Sequence, residues 1–196
     1  MLARPGEAQC GDRHVVKPFP DGVLVAVIDG LGHGDEAADA AKIAVTVLET
    51  YSNESVLSLM RRCDMELKNT RGAVVSVASF SAPVSMMTWL GVGNIEGRLL
   101  RADPRAHPRQ ESLVLRRGVV GGRLPTLSAS AVLVTPGDTL SFATDGVRSD
   151  FAERLIVSES PQQTADRILA RYGKCTDDAL VLVARFGRRR IEDRGA

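Results

Sequence analysis

The chain has 196 residues, a formal net charge of +1, and hydrophobic and charged fractions of 44% and 25%. One sizeable core can be buried at that length, and the balanced charge offers no general attraction to nucleic acid or a membrane surface. No apolar run approaches the roughly 20 residues needed to cross a bilayer, and residues 1–6 carry no stretch of signal-peptide type.

In chain order, residues 15–17 and 23–28 are short β-rich runs. They flank Phe19-Pro20-Asp21-Gly22, a turn signal, and predict a hairpin. Asp12 precedes the first strand and Asp29 ends the second, so both acids are expected at the same end. A glycine-rich loop over residues 30–34 leads into a helix opened by Asp35 and Glu36, where negative charge suits the helix dipole. Ala37, Ala40, Ala41, Ala44 and Leu48 recur at helical spacing, and the alanines allow a close approach to a sheet. A second helix is predicted over 54–68, with Val56, Leu59, Met60, Cys63 and Leu67 on one face.

From residue 73 the pattern turns to strands, at 74–80, 84–91, 95–100, 113–115, 131–135 and 139–143. Residues 101–110 read as a loop, and Pro136-Gly137-Asp138 as the turn joining the last two strands. A short helix is expected over 149–154. A better one starts at Ser160-Pro161-Gln162-Gln163, a capping box with proline at the first position, and stops near Gly173. A strand over 179–186 ends the core, and residues 187–196 form a charged tail. Helices grouped between sets of strands argue for a single α+β domain rather than a doubly wound parallel sheet. Cys10, Cys63 and Cys175 are odd in number and lack metal-knuckle spacing, which points to a reducing cytoplasm.

Four acids stand out, each at a strand end or tight turn: Asp12, Asp29, Asp145 and Asp177. Carboxylates brought from remote strand ends to one place make a hard, oxygen-rich pocket suited to Mg²⁺ or Mn²⁺. Two such ions can neutralise a phosphate monoester and acidify a water for in-line attack, so the pattern predicts a metal-dependent hydrolase. Asp21, Asp138 and Asp150 read as turn or cap residues, and Asn94 as a loop cap. Arg98, Arg101, Arg105, Arg109, Arg116 and Arg117 form a basic stretch, read first as a solvated loop and strand edge and second as a docking surface for an acidic phosphoprotein. Arg188, Arg189 and Arg190 read as tail. Gly32, Gly34 and Ala37 match a dinucleotide fingerprint, but Asp29, Asp35 and Glu36 would surround a pyrophosphate with negative charge. There is no Walker lysine loop and no Cys-x₅-Arg loop.

Gly11-Asp12, Asp29-Gly30-Leu31-Gly32-His33-Gly34, Gly91-Val92-Gly93-Asn94, Thr144-Asp145-Gly146-Val147 and Asp177-Asp178 follow one another as in metal-dependent protein phosphatases of type 2C. The chain resembles the SpoIIE-like bacterial branch over about residues 8–186, and its small size is similar to the RsbX-type phosphatases of the stressosome. The resemblance implies a four-layer α-β-β-α sandwich, two antiparallel sheets with helices outside, and metals at one edge. It implies Asp12, Asp29, the Gly30 carbonyl, Asp145 and Asp177 as ligands of a pair of Mn²⁺ or Mg²⁺ ions, with Asp29 and a metal-bridging water at the catalytic centre. Asp178 and His33 are candidates to support those ligands by hydrogen bond; His33 is equally a bystander. Phosphorylated STAS-domain proteins of a stressosome are the implied substrates.

The chain departs from the type 2C pattern in places. Leu31 stands where better-known members carry a histidine, so His33 is not assigned as the general acid. Arg4 and Arg13 do not match the spacing of the phosphate-holding arginine, and Ala179-Leu180 replaces a Met-Thr pair. Two alternatives to a phosphoprotein phosphatase stay open: a non-catalytic module that captures phosphoproteins, and a phosphatase of small phosphoesters.

Overall fold

The computed structural model of the protein describes residues 1–3, 9–154, 159–174 and 176–187. Arg4, Cys175, Arg188, Arg189, Arg190 and the rest of the tail lie outside the described residues.

The predicted hairpin forms from β1 (Asp12–Phe19) and β2 (Gly22–Gly30), and its register sets Asp12 opposite Asp29. Helices α1 (Asp35–Thr50) and α2 (Val56–Glu66) follow, then β3 (Ala73–Ser81), β4 (Met86–Val92), β5 (Glu96–Leu100) and the short β6 (Gln110–Ser112) and β7 (Leu115–Arg116). The chain ends with β8 (Ser130–Leu133), β9 (Thr139–Ala143), a 3₁₀ turn (Ser149–Arg154), α3 (Pro161–Tyr172) and β10 (Val181–Arg185). One sheet runs β1-β2-β3-β4-β7 with β8 also on β4, and the other runs β10-β9-β5-β6. Pairing is antiparallel throughout, apart from the two-residue contact of β4 with β7.

The pleat explains the layers. Leu24, Ala26 and Ile28 of β2 face the helix side with Ala40, Ala44, Leu59 and Met60, whereas Val25 and Val27 face the other sheet with Trp89, Leu99 and Phe142. The same alternation splits β3, with Val75 and Val77 on the helix side and Val74, Ala78 and Phe80 between the sheets. Val181 and Val183 of β10 pack with Phe151, Ile168 and Tyr172 beneath α3, while Leu182 enters the space between the sheets. Three apolar cores therefore separate four layers, α-β-β-α.

The predicted apolar face of the second helix is buried in full, and Ser55 caps that helix by accepting from the Ser58 amide. Ser160 and Gln163 form the reciprocal capping box ahead of α3. Gly173 ends α3 in an extended conformation, φ −62° and ψ 135°, not in the left-handed one a glycine stop usually supplies.

One strand expectation needs correction. The run 113–115 is not one strand: the Leu113 amide still donates to the Gly97 carbonyl of β5 at 2.9 Å, and the chain re-pairs with β4 at Leu115, changing sheets between them. Pro136-Gly137-Asp138 does join β8 to β9, and it carries the chain from one sheet to the other. Asp138 is more than a turn residue. It is 1% exposed and accepts from the amides of Ala102 and Thr135, the Thr135 hydroxyl and the Arg101 guanidinium.

Candidate metal centre

The start of β1, the end of β2, the turn after β9 and the segment before β10 meet at one edge of the sandwich. Asp12, Asp29, Asp145, Asp177 and Asp178 line a single cavity there, of about 450 Å³. Leu31, Gly32, Val74, Gly93, Asn94, Arg117 and Gly118 complete its wall.

Close backbone packing brings the segments together. A Cβ on Gly30 would collide with the Ala37 carbonyl, so glycine lets α1 seat against the end of β2 beside Asp29. A Cβ on Gly146 would collide with the Asp178 carbonyl, so glycine lets the turn carrying Asp145 lie on the segment carrying Asp177. Hydrogen bonds then tie the two sheets. The Thr144 hydroxyl donates to Asp12 Oδ2 at 2.8 Å and accepts from the Leu180 amide at 2.9 Å. The Gly11 amide donates to Asp178 Oδ2 at 2.5 Å, and the Gly30 amide to the Gly11 carbonyl at 3.2 Å.

Each carboxylate has a distinct setting. Asp12 is 1% exposed, and burial first, then the neighbouring Asp178, Asp145 and Asp177, push its pKa up to about 7 against the Thr144 hydrogen bond. Asp29 is pushed up to about 8 by burial, then by Asp12, Asp145, Asp177 and Asp178. Asp145 and Asp177 are exposed. Asn94 Nδ2 donates to Asp145 Oδ2 at 2.9 Å, and Lys174 Nζ to the Asp145 carbonyl at 2.6 Å. Asp177 Oδ1 accepts from the Asp178 amide at 2.9 Å.

Among the described residues, no three His, Cys, Asp or Glu side chains are gathered tightly enough to hold a metal ion as they stand. Like charges in one cavity push apart, and most of these carboxylates lean on a protein donor instead. A carboxylate has two oxygens and about four lone-pair sites, so one such donor leaves capacity for a cation. The all-oxygen donor set, its burial and its mutual repulsion fit a hard divalent ion, which relieves the repulsion as it binds.

All four strand-end acids predicted from the sequence reach the cavity, together with Asp178. Gly30 is buried at the end of β2 between Asp29 and Leu31, both of which line the cavity. His33 is exposed and does not line it. Arg13 donates to the backbone carbonyls of Cys10 and Asp12. Sequence reasoning missed two wall residues. Asn94 was expected as a loop cap but bonds a site acid, and Arg117 was expected as part of a basic stretch, a solvated edge or a docking surface for a phosphoprotein, not as a wall of this cavity. Asn94 carries a signal in the Gly91-Val92-Gly93-Asn94 motif, whereas Arg117 carries none of its own, because it reaches the cavity through the packing of distant segments.

A model of the family described as stage II sporulation protein E (SpoIIE) matches residues 20–187. The chain belongs to the SpoIIE family. Phosphoserine phosphatase RsbX of Bacillus subtilis (strain 168) is 33% identical over 95 residues, which are 48% of this chain and 48% of RsbX. The chain thus aligns with about half the length of that curated relative. A solved structure described under the bacterial stressosome, a modular system adapted to control secondary messenger signaling, is similar with a TM-score of 0.84 and 29% identity, covering 94% of this chain and 95% of that one. RsbX in complex with magnesium gives a TM-score of 0.81 at 23% identity, over 93% of this chain and 89% of that one. The SpoIIE-like resemblance and the α-β-β-α sandwich are both borne out.

Proposed function

We propose that this SpoIIE-family chain is a metal-dependent serine/threonine phosphoprotein phosphatase. Its proposed substrates are phosphorylated STAS-domain regulators of a bacterial stress-response pathway in the cytoplasm. The observation that carries this reading is the meeting of Asp12, Asp29, Asp145 and Asp177 in one cavity, from four separate strand ends. The name of the RsbX relative, a phosphoserine phosphatase, and the similarity to a stressosome structure support the substrate class.

In this reading Asp12, Asp29, the Gly30 carbonyl, Asp145 and Asp177 hold two Mn²⁺ or Mg²⁺ ions. Such ions, when bound, supply positive charge against the phosphoryl oxygens and make a water acidic enough to attack phosphorus. The protein contributes placement. Thr144 orients Asp12, Asn94 orients Asp145, and Asp178 pins the Gly11 backbone beside Asp12. Burial of Asp12 and Asp29 keeps both carboxylates poorly solvated, which strengthens their attraction for a cation. Among the described residues no helix is long and apolar enough to cross a membrane.

The test is phosphate release with Mn²⁺ or Mg²⁺ from an aryl phosphate and from a phosphorylated STAS protein. Turnover of both, lost on chelation, supports the proposal. Binding of the phosphoprotein without phosphate release indicates a capture module, and turnover confined to small esters indicates a small-molecule phosphatase.

A further inference from the structure

A phosphate monoester dianion approaching five carboxylates is repelled until something of opposite sign receives it. Among the described residues, Arg117 is the one basic side chain lining the acid cavity. Other arginines of the same stretch are committed to protein partners: Arg98 pairs with Glu96, Arg101 with Glu111 and Asp138, and Arg105 with Asp103. Arg117 is exposed and, among the described residues, forms no ion pair or hydrogen bond through its guanidinium.

Its backbone is held on both sides. The Arg116 carbonyl accepts from the Gly93 amide at 2.8 Å, next to the Asn94 that bonds Asp145. Val120 exchanges two 2.9 Å backbone hydrogen bonds with Ala73, at the start of the strand that pairs with the Asp29 end of β2. Val119 donates to the Arg123 carbonyl at 3.0 Å, and Gly121 to Asp64 Oδ1 at 2.8 Å. A loop fastened at both flanks thus presents one uncommitted cation at the wall of an anionic cavity.

We propose that Arg117 receives the phosphoryl group of the substrate at the mouth of the acid cavity. This rests on the phosphatase reading above and adds to it the residue that grips the phosphate. Guanidinium is always charged, and its planar fork can donate two parallel hydrogen bonds to phosphoryl oxygens, which a lysine ammonium cannot match in geometry. The grip serves substrate and product alike, so inorganic phosphate is held by the same contact.

The experiment compares the wild type, Arg117→Ala and Arg117→Lys, all loaded with Mn²⁺. KM and kcat are measured on a phosphoserine peptide, affinity for inorganic phosphate is measured by titration calorimetry, and thermal unfolding reports the fold. Arg117→Ala is expected to raise KM and weaken phosphate binding about tenfold, the scale of a lost charge-assisted contact, with Arg117→Lys between. The Mn²⁺ activation midpoint and the unfolding temperature are expected to stay at wild-type values. Unchanged KM and phosphate affinity in Arg117→Ala would overturn the assignment. A shifted Mn²⁺ midpoint with unchanged phosphate affinity would also overturn it, showing Arg117 to be a counter-ion of the carboxylates. A wild type that neither binds nor releases phosphate removes the phosphatase reading itself, and this assignment with it.

Discussion

Asp12 and Asp138 are both 1% exposed, yet the protein treats them in opposite ways. Around Asp138, burial is outweighed by the amides of Ala102 and Thr135 and by the Arg101 guanidinium, and its pKa is held below the usual carboxylate range. Around Asp12 there is the Thr144 hydroxyl and a ring of further acids, and its pKa rises to about 7. One corner is an internally satisfied joint between two sheets. The other is an anionic cluster that the chain leaves under-compensated, and such a cluster is where function concentrates.

The contrast can be broken most severely at turnover. Asp29→Asn is expected to cut phosphate release by about 10³-fold or more, because the site loses a central charge for its cations. The metal-free variant should nevertheless unfold at the same temperature as the wild type or higher, since one repelling charge is gone. Asp138→Ala should do the reverse. It should lower unfolding stability by about 3 kcal/mol in denaturant melts, because Arg101 loses its buried partner, and it should leave the metal response in place.

A pH series sharpens the same contrast. In the folded, metal-free protein Asp12 and Asp29 keep their protons up to about 7 and about 8, against an ordinary value of 3.8. The unfolded chain binds fewer protons across that window, so metal-free stability should fall as pH rises from about 4 to about 8. Asp29→Asn should flatten that fall. Asp138 is lowered, so its contribution is present above the unfolded value and is lost as pH falls through its folded pKa. Asp138→Asn should therefore lower the neutral part of a thermal melt series and flatten its fall on the acid side. The smallest effect belongs to Thr144→Val, expected to cost about 1 kcal/mol in the same melts through the lost bonds to Asp12 and Leu180, with weaker Mn²⁺ binding by calorimetry.

Much of this was legible from local chemistry. The Pro20-Asp21-Gly22 turn, alternating apolar residues and a strand-end acid on each side led to a hairpin in which Asp12 does face Asp29. The alanine run led to a helix seated tightly on a sheet, and Ser160 with Gln163 to a capping box. Sheet membership was hidden. A strand's own residues do not say which partner it will take, so nothing local showed that the 136–138 turn carries the chain from one sheet to the other. Leu113 is buried between the sheets, Val114 is 62% exposed, and Leu115 already belongs to a second pairing, so three adjacent apolar residues serve different surroundings. Arg117 was hidden for the same reason, since it enters the cavity through contacts between remote segments.

The central claim is that acids from remote strand ends form one cation-binding cavity. A crystal grown in Mn²⁺ and measured at the manganese absorption edge tests it most directly. Anomalous peaks are expected among Asp12, Asp29, Asp145 and Asp177, and they should vanish in Asp29→Asn. Manganese bound elsewhere, with no peak touching these four carboxylates, would contradict the account.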